Sequence, residues 1–152
     1  MDDMRKQVII IALAALILLS CFVTVSAAGT DWTLRLVGAK SPVLLPDGGV
    51  AVITGSKVTT VNADGSARWS WDAGGQVKYL AIDAAGNLYA ALGRTVFKVS
   101  GTGKTMWKAD SYGDIYSFSV MEGRVLVGWA NGLFELDYKG TLLWEYYMPE
   151  DC

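Results

Sequence analysis

The sequence predicts an all-β fold of about three four-stranded antiparallel units with one extra N-terminal strand, preceded by an N-terminal hydrophobic helix. The first observation is a repeat: glycines that open equivalent segments stand at positions 48, 86 and 123, at steps of 38 and 37 residues. A second set of glycines and a set of tryptophans keep the same two steps: Gly65, Gly103, Gly140, Trp69, Trp107 and Trp144. Trp32 lies 37 residues before Trp69. A fixed period in the range of about 20–50 residues indicates stacked copies of one supersecondary unit.

Each repeat has the residue pattern of β-strands. Val50–Thr54 is apolar and lies between glycines, which is typical of a strand buried on both faces. Lys57–Val61 mixes β-branched and polar residues, which is typical of a half-exposed strand. A further strand contains the tryptophan, and another is predicted before each leading turn, at Val43–Leu45, Tyr79–Ile82 and Tyr116–Val120. Four antiparallel strands in about 37 residues form one blade of a β-propeller.

These patterns divide the chain into an N-terminal segment, 1–28, and a partial β-propeller, 29–152. The repeats are predicted at about 38–75, 76–112 and 113–147, after a lone strand at Trp32–Val37. Propellers close with about four to eight blades, so three repeats leave strand edges that recruit other strands. We expect the lone strand to complete a blade, either with the chain's own end or with a neighbouring chain.

Residues 1–28 resemble an export signal or a membrane anchor. Arg5 and Lys6 precede the run Val8–Val25, which is apolar except for Ser20 and Thr24. A short basic segment before an apolar run is typical of a signal peptide, whereas about 18 apolar residues also suffice for a transmembrane helix. Both alternatives stay open. Either one predicts a protein that is secreted or anchored on the extracytoplasmic side, because the basic residues hold the N-terminus inside.

Cys21 is a possible lipidation site. Leu18-Leu19-Ser20-Cys21 resembles the lipobox of lipoproteins, in which the cysteine is lipidated. Leu19 departs from the small or β-branched residue usual there, and apolar residues follow the cysteine. The competing interpretation is a small apolar residue inside a helix.

Composition and charge exclude several classes of function. The chain has 152 residues, a formal charge of −2 and no histidine. Serine–histidine and cysteine–histidine nucleophiles and histidine-based zinc sites are therefore excluded within it, and no basic stripe predicts nucleic acid as a partner. Asp47, Asp64 and Asp137 stand in or beside turns, where we expect them to bond their own backbone. No catalytic residue, metal site or enzymatic activity is predicted.

The turn-and-tryptophan segments resemble the glycine–tryptophan motif of PQQ-like β-propeller repeats. They are Gly65-Ser66-Ala67-Arg68-Trp69, Gly103-Lys104-Thr105-Met106-Trp107 and Gly140-Thr141-Leu142-Leu143-Trp144. The resemblance covers about residues 32–147 and implies tryptophans that dock between adjacent blades. The turn is about one residue shorter than in the family, and Thr60, Lys98 or Glu135 stands where a small residue is usual. The quinone-dependent enzymes of this fold use an adjacent cysteine pair and a metal held by acidic and amide side chains. This chain has no such cysteine pair, so no cofactor is expected.

The sequence thus predicts an exported, non-catalytic scaffold or protein-interaction module at the outer face of the cell membrane. Its partner would be another protein or a second copy bound through open blade edges, with the membrane reached through the N-terminal segment. Aromatics that would make such contacts if exposed are Trp71, Tyr112, Tyr146 and Tyr147, and the alternative favoured for each one singly is packing between blades. The alternatives are a small-ligand or carbohydrate-binding sensor, or a fragment of a larger propeller.

Overall fold

A computed structural model describes the backbone of residues 24–27, 30–33 and 35–148 and the side chains of residues 35–148. All regular elements in these ranges are β-strands, and they form three four-stranded antiparallel sheets and one two-stranded sheet. The predicted all-β fold is therefore confirmed. The predicted N-terminal hydrophobic helix lies outside the described residues, as do Cys21 and Cys152. Within the described ranges, no helix is long and apolar enough to cross a membrane.

Each four-stranded sheet is formed by four strands consecutive in the chain, and we call the sheets blades 1, 2 and 3. Blade 1 contains β3 (Ala39–Leu44), β4 (Val50–Thr54), β5 (Lys57–Val61) and β6 (Ala67–Asp72). Blade 2 contains β7 (Tyr79–Ile82), β8 (Leu88–Leu92), β9 (Thr95–Val99) and β10 (Thr105–Asp110). Blade 3 contains β11 (Ile115–Met121), β12 (Arg124–Trp129), β13 (Gly132–Leu136) and β14 (Leu142–Tyr147). Strand order in every blade follows chain order, so each blade is a meander of hairpins.

The N-terminal strand differs from its prediction. The two-stranded sheet pairs β1 (Thr24–Ala27) with β2 (Thr30–Thr33) in antiparallel register, with Trp32 opposite Val25. The strand therefore ends earlier than the predicted Trp32–Val37. The reason is local: Gly38 has φ +72°, and the chain turns at residues 37–38 before β3 begins. Among the described residues, β2 pairs with β1 and with no blade strand.

A β-bulge precedes every tryptophan in the last strand of a blade. Thr60 pairs with Trp69 and Val61 with Ala67, so Arg68 is the extra residue of blade 1. The same register shift makes Met106 and Leu143 the extra residues of blades 2 and 3. A bulge re-aims the side chains that follow it. In all three blades it therefore sets the direction of the indole ring.

Two hydrophobic cores lie between successive blades. Ala51, Ile53 and Val58 of blade 1 pack with Leu88 and Ala90 of blade 2, and all five side chains are buried. Blade 2 meets blade 3 in a second core: Tyr89, Ala91, Val96, Ile115, Val125, Val127, Trp129, Phe134 and Leu136. Fully burying one such aliphatic side chain contributes about 1.5–3 kcal/mol. Blade-to-blade packing is thus the main hydrophobic contribution to the stability of the arc.

Candidate functional site

The tryptophan of blade 1 docks on the turn of blade 2. Trp69 Nε1 donates a hydrogen bond of 2.9 Å to the carbonyl of Gly101, and the ring lies over Gly103. A Cβ atom built on Gly103 would stand 3.0 Å from the ring, and Gly103 has φ +82°. Glycine is required here for two reasons, since a side chain would be both strained and too close to the indole.

The tryptophan of blade 2 repeats this contact on blade 3. Trp107 Nε1 donates 2.9 Å to the carbonyl of Tyr138, and a Cβ on Gly140 would lie 2.8 Å from the Trp107 ring. Gly140 also has φ +82°. The turn is closed by a hydrogen bond of 3.0 Å from Gly140 N to the Asp137 carbonyl. The repeated glycines and tryptophans therefore meet between neighbouring blades.

Trp144 occupies the same repeat position in blade 3, and no turn among the described residues covers it. Its Nε1 donates to Glu135 Oε2 in its own blade, and 44% of the residue is exposed. Glu135 Oε1 accepts a hydrogen bond of 3.2 Å from Arg124 Nη1. Gly65 lies in the equivalent turn of blade 1, with φ +83°. That Trp32 docks on that turn, as its 37-residue spacing suggests, stays a prediction, because its side chain lies outside the described residues.

The residue that pairs with each tryptophan differs in charge from blade to blade. Thr60 is fully buried, and its hydroxyl donates 2.8 Å to the Trp69 carbonyl. Lys98 is 4% exposed, and Glu135 carries the acidic side chain already described. The family resemblance marked these positions as departures. In the structure Thr60 and Glu135 make polar contacts within their own blades, and Lys98 makes one to the next blade.

Lys98 is the centre of a buried polar cluster between blades 2 and 3. Its Nζ donates 3.2 Å to the Tyr138 carbonyl, lies 3.9 Å from Asp83 Oδ2, and stands 5.1 Å from the centre of the Tyr89 ring. The Tyr89 hydroxyl donates 3.2 Å to the same Asp83 oxygen, and Asn87 donates to both carboxylate oxygens. Burial and the Asp83 charge raise the pKa of Tyr89. Sequence reasoning missed this cluster. The feature of the sequence that could have indicated it is a lysine between the apolar residues Phe97 and Val99.

The outer face of blade 3, as we call the side turned away from blade 2, is formed by repeat positions that are buried in the other blades. Ala51 and Tyr89 are fully buried, whereas their equivalent Leu126 is 39% exposed. Trp71 is 7% exposed, and its equivalent Tyr146 is 56% exposed. A cavity of about 350 Å³ lies on this face, lined by Ser119, Met121, Glu122, Arg124, Leu126, Glu135 and Trp144. Among the described residues, no other blade packs on this face.

Of the four aromatics considered for contacts, Trp71 is not exposed and follows the alternative expectation, packing between blades. It is buried between blades 1 and 2, where its ring stands edge-on to Phe97 at 5.2 Å and its Nε1 donates 2.9 Å to Thr105 Oγ1. Tyr112, Tyr146 and Tyr147 are at least half exposed. Tyr112 packs against Tyr147 at 5.7 Å, and hydrogen bonding with Glu145 and Tyr147 raises its pKa to about 12.

The turn carboxylates bond their own backbone, as predicted. Asp47 Oδ1 accepts from Gly49 N at 3.1 Å, Asp64 Oδ1 from Ser66 N at 2.9 Å, and Asp137 Oδ1 from Thr141 N at 2.8 Å. In the part of the chain that the structure describes, no group of three acidic or cysteine side chains is placed to hold a metal ion.

Comparisons with known proteins establish the fold. The chain is similar to a protein of unknown function from Bacteroides caccae (TM-score 0.58, 19% identity, 78% of this chain and 50% of that chain). It is also similar to the Neurospora crassa Pan2 WD40 domain (TM-score 0.62, 15% identity, 72% and 38%) and to BamB from Moraxella catarrhalis (TM-score 0.63, 17% identity, 77% and 39%). No protein-family model matches the sequence, and no curated protein matches it.

The fold and the repeated junctions together define this chain as a set of β-propeller blades. It spans half or less of the length of each similar chain. At these identities the similarity establishes the fold alone.

Proposed function

We propose that this protein is an exported, non-catalytic β-propeller repeat protein that acts as a scaffold or protein-interaction module at the outer face of the cell membrane. One observation carries the proposal: the outer face of blade 3 exposes the repeat positions that blades 1 and 2 use for contact with their neighbours. Aromatic side chains such as Trp144 and Tyr146 are enriched in protein interfaces, which supports a protein partner for this surface.

The membrane location rests on residues 1–28. Arg5 and Lys6 before the apolar run Val8–Val25 support either cleavage as a signal or retention as an anchor. Cys21 supplies a third possibility, lipidation. A reporter enzyme that is active only outside the cytoplasm, fused after residue 148, tests export: an inactive fusion of normal abundance would contradict it. The intact mass of the exported protein then separates cleavage, retention and lipidation.

Crosslinking inside the producing cell tests the interaction module. A photoreactive amino acid replaces Tyr146 on the outer face of blade 3 and, in a matched control, the 66% exposed Leu44 of blade 1. We expect a protein adduct from position 146 and none of the same mass from position 44. The absence of any adduct specific to position 146 would overturn the proposal.

A small-ligand or carbohydrate-binding sensor is the second candidate. The 350 Å³ cavity is within the size range of ligand sites, and it joins the Trp144 indole to the Glu135 and Arg124 head groups. Quenching or shift of tryptophan fluorescence during titration with simple sugars tests it, with Trp144→Phe as the control variant. A signal that persists unchanged in that variant would reject the cavity as the site.

A further inference from the structure

The outer face of blade 3 matches, position by position, two faces that form interfaces within the same chain. Ile53, Val58 and Trp71 on this side of blade 1 are buried against blade 2. Ala91 and Val96 on this side of blade 2 are buried against blade 3. The outer face of blade 3 is therefore equivalent, by repeat position, to two faces that form sheet-to-sheet contacts within the chain.

The outer face of blade 3 carries charges of both signs. The basic group is Arg124, whose side chain is 66% exposed; Glu135 beside it already pairs with Arg124, and Glu122 is the second acidic group. They surround the exposed apolar parts of Leu126 and Trp144. In a two-fold interface each residue meets its counterpart's neighbours, so a surface that carries both signs of charge around an apolar centre can pair with itself.

Among the described residues, the opposite end of the arc exposes no equivalent set of apolar side chains. On the side of blade 1 that faces away from blade 2, Ala39, Val50, Val52 and Val61 are already buried, with Leu36 packed against them. A head-to-tail contact between copies would require this side to be open. Of the two ends of the arc, the outer face of blade 3 is the end that the described residues leave uncovered, so a second copy would meet it with the same face.

We propose that two copies of this chain associate through the outer faces of blade 3, related by a two-fold axis. Leu126 and Trp144 form the apolar centre, and Arg124 of each copy faces Glu122 of the other, while Glu135 keeps its hydrogen bonds to Arg124 and Trp144 of its own chain. The two sheets pack face to face at about 10 Å, the usual separation of stacked sheets. The inference rests on the proposed function in one respect: it names the partner of the surface proposed there.

Light scattering on the purified full-length protein tests the association. We expect a dimer for the unaltered chain and for Leu44→Lys, a substitution at an exposed leucine of blade 1. Leu126→Lys introduces two like charges into the centre of the interface. The dissociation constant of its dimer should therefore be at least about tenfold higher than that of the unaltered dimer. A monomer in the unaltered protein, or a dimer that Leu126→Lys leaves unchanged, overturns the proposal. Far-ultraviolet circular dichroism verifies that each variant is folded.

Charge exchange gives an independent measurement. Arg124→Glu and Glu122→Arg should each weaken the dimer, and the double variant should restore it, because opposite charges again face one another across the axis. Failure of the double variant to restore the dimer contradicts the two-fold arrangement. Because Arg124 also pairs with Glu135 in its own chain, urea titration of the three variants separates this restoration from a recovery of monomer stability.

The crosslinker at position 146 separates failure of this inference from failure of the proposed function. An adduct with twice the mass of the chain supports the dimer. An adduct formed only with a different protein overturns the dimer and leaves the scaffold function standing. No adduct overturns both.

Discussion

The indole N–H of Trp107 and the ammonium group of Lys98 donate to the same acceptor, the main-chain carbonyl of Tyr138 in the following blade, at 2.9 and 3.2 Å. The carbonyl belongs to the turn that ends at Gly140, directly beneath the Trp107 ring. One turn of blade 3 thus holds an aromatic contact and a charged contact from blade 2. The junction combines apolar burial with directional hydrogen bonds, which fixes the two sheets in one relative position.

Removal of a docked tryptophan should destabilise the protein far more than removal of the undocked one. We expect Trp107→Ala to lower the free energy of unfolding by about 3 kcal/mol, because truncation of a packed tryptophan typically costs about 3–5 kcal/mol and this ring is half buried. Trp144→Ala should cost less than about 1 kcal/mol, since no following turn packs on it. Urea titration, at a protein concentration low enough to keep both variants monomeric, measures the difference in the free energy of unfolding. Equal losses would show that docking on the next blade contributes nothing.

Substitution of the turn glycine should have a cost beyond that of its backbone conformation. Gly86 and Gly140 have nearly equal φ values, +81° and +82°, but a Cβ meets nothing within 4 Å at Gly86 and lies 2.8 Å from the Trp107 ring at Gly140. Gly86→Ala should therefore lower the free energy of unfolding by about 1–2 kcal/mol, because an L-residue is strained in the left-handed backbone region. Gly140→Ala should cost more and should change the Trp107 fluorescence. Identical thermal denaturation curves for the two variants would contradict the close contact.

Loss of the buried ammonium group should destabilise the junction of blades 2 and 3. Lys98→Met keeps the apolar stem but leaves Asp83 without its cation, and removal of one partner from a buried polar contact costs about 1–3 kcal/mol. Lys57→Met, at an exposed position in blade 1, is the matched control and should be neutral. Urea titration of both variants measures the difference. A neutral Lys98→Met would mean that the cluster is no more stable than a packed apolar side chain.

Acid should destabilise the protein through its turn carboxylates. Hydrogen bonds from Thr141 and Lys139 lower the pKa of Asp137, and those from Ser66 lower the pKa of Asp64. A folded-state pKa below the unfolded value stabilises the protein above pH about 4, and the contribution is lost as pH falls through the folded pKa. We expect Asp137→Asn to reduce the loss of stability on acidification from pH 7 to below 4. Denaturation curves at both ends of this range test it, and an unchanged loss would rule out Asp137 as a contributor.

The period of the sequence predicted most strands of the blades, but not the N-terminal strand and not the detailed contacts between blades. Val50–Thr54, Lys57–Val61 and Tyr79–Ile82 match β4, β5 and β7 because glycine and turn residues bound short apolar runs on both sides. Packing of Trp71 between blades was one of two expectations for this residue, but its partners could not be predicted from its own strand. Its ring is covered by Phe97 and Thr105 of the next blade, and a single strand contains no information about its neighbour.

The bulges at Arg68, Met106 and Leu143 were also beyond prediction. These three residues share no side-chain chemistry, and the extra residue is defined only by the pairing of two strands. The Lys98 cluster was missed for a related reason. Asp83 and Tyr138 lie 15 and 40 residues from Lys98, so only the packed blades bring the three groups together.

The differing residues opposite the three tryptophans make the repeats non-interchangeable despite their common scaffold. A hydroxyl at Thr60, a cation at Lys98 and an anion at Glu135 each suit one location. An acidic group transplanted to the site of Lys98 would confront both the Asp83 carboxylate and the Tyr138 carbonyl, and all three would repel. A variant in which the three blades are encoded in a different order should therefore assemble poorly, because each junction depends on the polar residue of the blade that precedes it.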